Sequence, residues 1–197
     1  MIYYHFVRFL AFLFSQCFFP IAIFGIKNIP PKGAFILASN HVSNLDPVIV
    51  GICCPRRLNF VAKDSLFKNK ALAFFLGHLG AFPIRRDTVD FRAIRTSLRK
   101  LKEGKPLMIF PEGTRRSKNL DNKIQPGIGF LVSKSQVPVI PVFVHNSDLA
   151  MPAGQKKISR HPVSIYFGKE KRYPQTEDYD QLAFQVMQDI SALTPQS

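Results

Sequence analysis

The stretch Ser39-Asn40-His41-Val42-Ser43-Asn44-Leu45-Asp46 sets a histidine and an aspartate five positions apart at the end of an apolar run. A helix turning about 100° per residue would put them about 140° apart, and a strand would send them to opposite faces. They meet only if the chain turns between them, and Ser43-Asn44 supplies turn chemistry. A carboxylate bonded to one imidazole nitrogen fixes the tautomer and leaves the other nitrogen free as a base. That is the base half of a nucleophilic triad. No serine or cysteine is obviously supplied as its third member, so the nucleophile would be the substrate's own hydroxyl. The competing structural reading makes Asp46 a helix N-cap ahead of Pro47, and His41 a polar strand end.

Two further clusters could act on an anion. Gly80-Ala81-Phe82-Pro83-Ile84-Arg85-Arg86-Asp87 ends an apolar strand in two arginines, whose planar forks suit phosphate. Phe110-Pro111-Glu112-Gly113-Thr114-Arg115-Arg116 leaves another apolar run through a tight turn. Charged residues directly after a buried strand belong to sites more often than to decoration. Val137-Pro138-Val139-Ile140-Pro141-Val142-Phe143-Val144 has two prolines in an apolar run, which reads as an edge strand of the core. Cys53 and Cys54 sit among apolar residues, where burial dulls a thiol nucleophile.

Something must bring these clusters together. Strand-like runs (21–26, 34–39, 58–63, 81–86, 106–110, 137–144 and 163–168) alternate with helical patterns, among them 47–54, 70–80, 90–104 and 127–135 and one from Glu177 to Leu193. That alternation predicts an α/β fold, a mixed sheet flanked by helices, with sites outside the carboxyl ends of strands. No linker divides residues 20–197, a length suited to a single core.

Residues 1–19 are aromatic and apolar around one charge, Arg8. About 18 helical residues reach ~27 Å, marginal against a hydrocarbon core of ~30 Å, so the expectation is an in-plane or partly inserted membrane-associated helix. A net charge of +14 calls for an anionic partner, and beside an apolar helix an anionic membrane surface fits best. Nucleic acid is excluded as the partner, because most of the phenylalanines lie in apolar runs instead of interleaving with basic residues. Three cysteines without metal or disulfide spacing suggest a reducing compartment.

Taken in order, the motifs resemble those of the glycerolipid acyltransferase family, of the bacterial 1-acylglycerol-3-phosphate type. His41 to Asp46 is similar to its first motif, Gly80 to Arg86 to its second, Phe110 to Arg116 to its third and Val137 to Pro141 to its fourth. Val61-Ala62-Lys63-Asp64 resembles the segment between the first two. The resemblance implies an α/β core with a membrane-associated amino terminus, at the cytoplasmic face. It also implies an O-acyltransferase that moves an acyl chain from acyl-CoA or acyl carrier protein onto a lysophospholipid hydroxyl. The leading acceptor is 1-acyl-sn-glycerol-3-phosphate; the alternatives are another lysolipid, such as a lyso-ornithine lipid, or a non-catalytic lipid-binding relative. His41 would be the base and Asp46 its orienting partner. Arg86, Glu112, Gly113, Thr114 and Arg115 would hold the acceptor, with Glu112 positioning an arginine or a hydroxyl, and Lys63 is a candidate oxyanion donor. No metal or bound cofactor is implied. The chain departs from the family at Gln125-Pro126, where a basic residue commonly precedes the glycine.

Overall fold

The computed structural model describes residues 2–85, 90–113, 124–152, 155 and 157–195. Arg86, Thr114 and Arg115, named above as acceptor-holding residues, lie outside them.

Helix α1 (Ile2–Phe18) stops ahead of Pro20, whose ring disfavours helical geometry in the residue before it. Seven strands follow: β1 (Ile21–Phe24), β2 (Ile36–Ser39), β3 (Asn59–Lys63), β4 (Ala81–Ile84), β5 (Leu107–Ile109), β6 (Val139–His145) and β7 (Val163–Phe167). Between and after them lie α2 (Asp46–Cys53), α3 (Lys70–His78), α4 (Phe91–Lys102), α5 (Gly127–Ser135), α6 (Ser147–Ala150) and α7 (Tyr179–Ser191). Caps set several starts. Asn69 accepts the Leu72 amide, Asp90 the amides of Arg92 and Ala93, and Asp178 that of Gln181, each satisfying a helix-end donor.

The strands form one sheet in the order β1-β7-β6-β2-β5-β3-β4. All neighbours are parallel except β6 and β7, which makes the sheet mixed. Alternation along the strands splits the core in two. Leu37, Met108, Ile140 and Val142 pack under α2, with Ala11 of α1 against them. Ile36, Ala38, Leu107 and Val139 face α4, α5 and α7. Thus α1 and α2 cover one face of the sheet, and α4, α5 and α7 cover the other.

The edge position expected for residues 137–144 is wrong: β6 lies inside the sheet, between β7 and β2. The reason is where the missing donor falls. Pro141 turns its backbone polar side toward Gly168, one residue past the end of β7, and its carbonyl accepts the Gly168 amide at 2.9 Å. Only the last rung of that ladder loses a bond. A Cβ on residue 168 would stand 2.8 Å from Pro141 Cγ, so glycine also makes room for the ring.

Candidate active site

Because β2, β5, β3, β4 and β6 run parallel to one another, their carboxyl ends share one edge of the sheet. That edge gathers His41 after β2, Glu112 and Gly113 after β5, Lys63 at the end of β3, Arg85 after β4, and Ser147 after β6.

The chain does turn between His41 and Asp46. Residues 43–45 form a bend and turn, and His41 Nδ1 lies 2.9 Å from Asp46 Oδ2. Asp46 does not cap its own helix: it is the first residue of α2, with Leu45 at the cap position and no side-chain cap bond. Its carboxylate points back instead. Oδ2 also accepts the amides of Val42 and Ser43, both at 2.7 Å, and Oδ1 accepts the Ser147 hydroxyl. Four donors thus converge on this carboxylate, three on Oδ2 and one on Oδ1. Asp46 is fully buried, where an unmatched charge would be very costly.

His41 is buried as well, and its ring stacks on Phe110 with centroids 4.3 Å apart. Its backbone amide donates to Glu112 Oε2 at 3.0 Å, so Glu112 positions the base through the main chain. Gly113, at φ +65° with its amide on the Phe110 carbonyl at 3.0 Å, closes the tight turn after β5. A Cβ there would fall 2.7 Å from Gln125 Cγ. Asn40 clamps the neighbouring strand, its Nδ2 donating to the Val144 carbonyl at 2.9 Å and its Oδ1 accepting the Val144 amide at 2.8 Å. Ser43 Oγ donates to the Met151 carbonyl at 2.7 Å.

Two cavities meet at His41. The larger, about 510 Å³, lies on the α1/α2 side and is lined by Val48, Ile52, Leu58, Phe60, Leu76 and Leu79. It runs from His41 and Lys63 at the carboxyl edge of the sheet to Tyr4, Arg8 and Leu58 at the amino edge. Arg8 donates to the Cys54 carbonyl there, at 2.7 Å. The smaller, about 270 Å³, opens on the α4/α5 side among Arg85, Asp90, Ala93, Ile94, Gly113 and Gln125. His41, Val61 and Phe110 border both. Backbone amides of Arg85, Ala93 and Arg92 hold the Asp90 carboxyl below its usual range.

Burial pushes the Cys53 thiol up to about 12 and that of Cys54 to about 11. The expected dulling of these nucleophiles follows. Among the described residues no three His, Cys, Asp or Glu side chains come together in a group that could hold a metal ion.

The structure thus brings together His41, Asp46, Lys63, Glu112 and Gly113. Sequence reasoning missed Ser147 and Asn40, and named Arg85 only as one of an arginine pair in which Arg86 was preferred. A strand-end signal was present for Ser147, since Val144-His145-Asn146-Ser147 leaves an apolar run as His41 does.

Fold and site define a class: an α/β domain with a carboxylate-held imidazole at the carboxyl edge of its parallel strands, between two cavities. The acyltransferase family model matches residues 20–145, and the chain belongs to that family. A 1-acyl-sn-glycerol-3-phosphate acyltransferase of Bacillus subtilis is 30% identical over 122 residues, 61% of this chain and 60% of that protein. One from Chlamydomonas reinhardtii is 29% identical over 186 residues, 90% of this chain and 54% of the relative. The chain spans between 41% and 60% of the lengths of the first curated relatives it matches. The crystal structure of the 1-acyl-sn-glycerophosphate acyltransferase PlsC from Thermotoga maritima shares the fold, with a TM-score of 0.77 at 21% identity over 98% of this chain and 80% of that one.

Proposed function

We propose that this chain transfers an acyl group from a thioester, acyl-CoA or acyl carrier protein, to the free hydroxyl of a lysophospholipid. The acceptor that fits best is 1-acyl-sn-glycerol-3-phosphate, which would yield phosphatidate. The observation that carries this is the 2.9 Å contact of His41 Nδ1 with the buried Asp46. It leaves Nε2 as the base of a ring that borders two cavities.

The acyl chain of the donor lies in the apolar cavity, whose volume suits a ligand of lipid size. The acceptor hydroxyl approaches from the other side. Nε2 takes its proton, the oxygen attacks the thioester carbonyl, and Asp46 steadies the imidazolium. The tetrahedral oxyanion takes a donor from Lys63 at the cavity mouth or from nearby backbone amides. It collapses as the C–S bond breaks, and the imidazolium returns the proton to the leaving thiolate. Arg86, Thr114 and Arg115 would hold the acceptor's phosphate and glycerol, and Gly113 and Arg85 line the smaller cavity. No metal or bound cofactor takes part.

The reaction belongs at a membrane surface. No helix among the described residues is long and apolar enough to cross one. Phe6, Phe9, Leu10, Leu13 and Phe14 are nonetheless exposed along α1, which suits a helix lying in the plane of the interface. Together with the cysteine usage this favours the cytoplasmic leaflet.

A second acceptor is favoured by one observation. Among the described residues, Gln125 and the Asp90 carboxylate line the smaller cavity beside Arg85. An amine-bearing lysolipid such as lyso-ornithine lipid would suit them better than a second phosphate charge.

The test is to incubate the purified chain with a lysolipid panel and labelled acyl-CoA or acyl carrier protein, and to identify the product lipid. His41→Ala should lose ~10²–10⁴-fold in rate while still binding vesicles. Near-unaltered turnover in that variant would refute the mechanism.

A further inference from the structure

The amino ends of the parallel strands form the edge of the sheet opposite His41, and three cations from separate segments meet there. β3 and β5 are neighbours with Asn59 opposite Leu107, and the Asn59 amide donates to the Pro106 carbonyl at 2.9 Å. Arg57 and Lys105 each stand two residues ahead of that rung, so they leave the sheet side by side, on strands ~4.8 Å apart. Lys105 also turns back onto α4. Its amide donates to the Lys100 carbonyl at 3.0 Å, which brings in the last turn of that helix. Lys100 is half-buried. Burial, and after it the charge of Lys105, pulls its ammonium below the usual lysine range, with Arg99 and Arg57 adding to the effect and Glu103 opposing it.

A helix carboxyl terminus favours cations, which accounts for Arg99 and Lys102 at the end of α4. It does not account for Lys100 sharing its surroundings with Arg57 and Lys105, which belong to other segments. Glu103 already serves Lys105, at 2.5 Å, and Arg99, at 4.0 Å. Among the described residues no carboxylate pairs with Arg57 or Lys100. Like charges gathered in this way repel one another, and a bound anion would relieve that repulsion. Arg57 spends one donor on the His78 carbonyl, at 2.7 Å. A guanidinium carries further N–H groups in a fork that suits phosphate oxygens.

We propose that Arg57, Lys100 and Lys105 form a binding site for a phosphate-bearing anion, free phosphate or polyphosphate or the headgroup of an anionic phospholipid, separate from the catalytic centre. The site stands whether or not the chain transfers acyl groups. The other contacts of Arg57 say what occupancy does. His78 ends α3, and the Arg57 guanidinium lies over the Tyr4 ring of α1, 5.8 Å from its centroid. Tyr4 lines the larger cavity at this edge, as Leu76 and Leu79 line it from the end of α3. An anion shared by Arg57, Lys100 and Lys105 therefore braces the far end of that cavity against α4.

The test uses two probes at constant ionic strength: pyrophosphate followed by calorimetric titration, and phosphatidylglycerol vesicles followed by sedimentation. Three proteins are compared: the full chain, its Lys100→Met/Lys105→Met variant, and Lys169→Met/Arg172→Met, which loses the same charge at exposed positions elsewhere. If the ligand is a free anion, the first variant should bind pyrophosphate roughly tenfold more weakly or worse, and the second should stay within about twofold of the full chain. If the ligand is a lipid headgroup, vesicle affinity should show that pattern instead. Equal losses in the two variants, which would report net charge alone, overturn the proposal, and so does no loss with either probe. The lysines are substituted by methionine to keep their stems, so without any anion the first variant should melt at or above the full chain, having lost repulsion. A lower melting point would show those charges satisfied within the fold, and it too overturns the proposal.

Discussion

Ser147, the first residue of α6, donates its hydroxyl hydrogen to Oδ1 of Asp46, a residue 101 positions earlier in the chain. Both side chains are fully buried. The carboxylate that orients His41 is therefore pinned from two strand ends, by the turn after β2 and by the residue after β6. Ser147→Ala would leave a buried carboxylate oxygen without its donor, a loss of ~1–3 kcal/mol. We expect kcat to fall by roughly tenfold, with KM for both substrates unchanged and Ser147→Thr restoring most of the rate. A matching loss in the Cys53→Ala variant, at a buried position away from the dyad, would mean that general destabilisation and not the dyad is being read.

The apolar cavity can be shortened without touching the base. Gly51 lies in α2, lines that cavity, and a Cβ added there meets nothing within 4 Å. Gly51→Leu should make the helix intrinsically stronger, by ~1 kcal/mol on propensity, and fill the space where a long chain would lie. Thermal melting should show a stability equal to or above that of the unaltered chain. Competition between sixteen- and ten-carbon donors should shift toward the shorter by roughly tenfold. No change in that ratio would put the donor's chain elsewhere.

Deleting α1 would not test its membrane role cleanly, because Tyr4, Val7, Arg8 and Ala11 line the cavity and Phe19 is buried. Substitution of its outer side does. Phe6→Ser, Phe9→Ser and Phe14→Ser together should lower the affinity for anionic vesicles at least tenfold, by loss of apolar burial, while turnover of a detergent-dispersed acceptor persists. Vesicle binding that survives the triple change would move the contact surface off α1.

The two buried thiols give a pH signature. Their pKa values are raised in the folded chain, to about 12 and about 11. The stability associated with the neutral thiols is thus present below the ordinary cysteine value of ~8.5 and is lost as pH rises toward those folded values. The urea midpoint should fall between about pH 9 and 11, and the Cys53→Ala/Cys54→Ala variant should show a shallower slope. At pH 8 a thiol reagent should modify Cys17, which is exposed, and spare the other two.

Much of this was legible before any coordinates. Proline, glycine and alternating apolar runs place the strands, and the spacing of His41 and Asp46 around Ser43-Asn44 announces a turn that brings them together. Two things escaped. Local sequence cannot reveal which side of Pro141 needs a donor, since that depends on where β7 ends, more than twenty residues on. One contact of Glu112 was hidden for a related reason: it accepts a main-chain amide on another strand end, and every residue but proline carries one. Asp46 itself satisfies cap statistics and yet serves the preceding turn.

Helix α1 is at once an outer skin of the molecule and the inner lining of the 510 Å³ cavity, with Phe6, Phe9 and Leu13 turned outward and Tyr4, Val7 and Ala11 turned in. Any tilt or lift of that single layer on contact with a lipid surface would change the room available behind it. Membrane thickness and fluidity would thereby be translated into a preference among fatty acids.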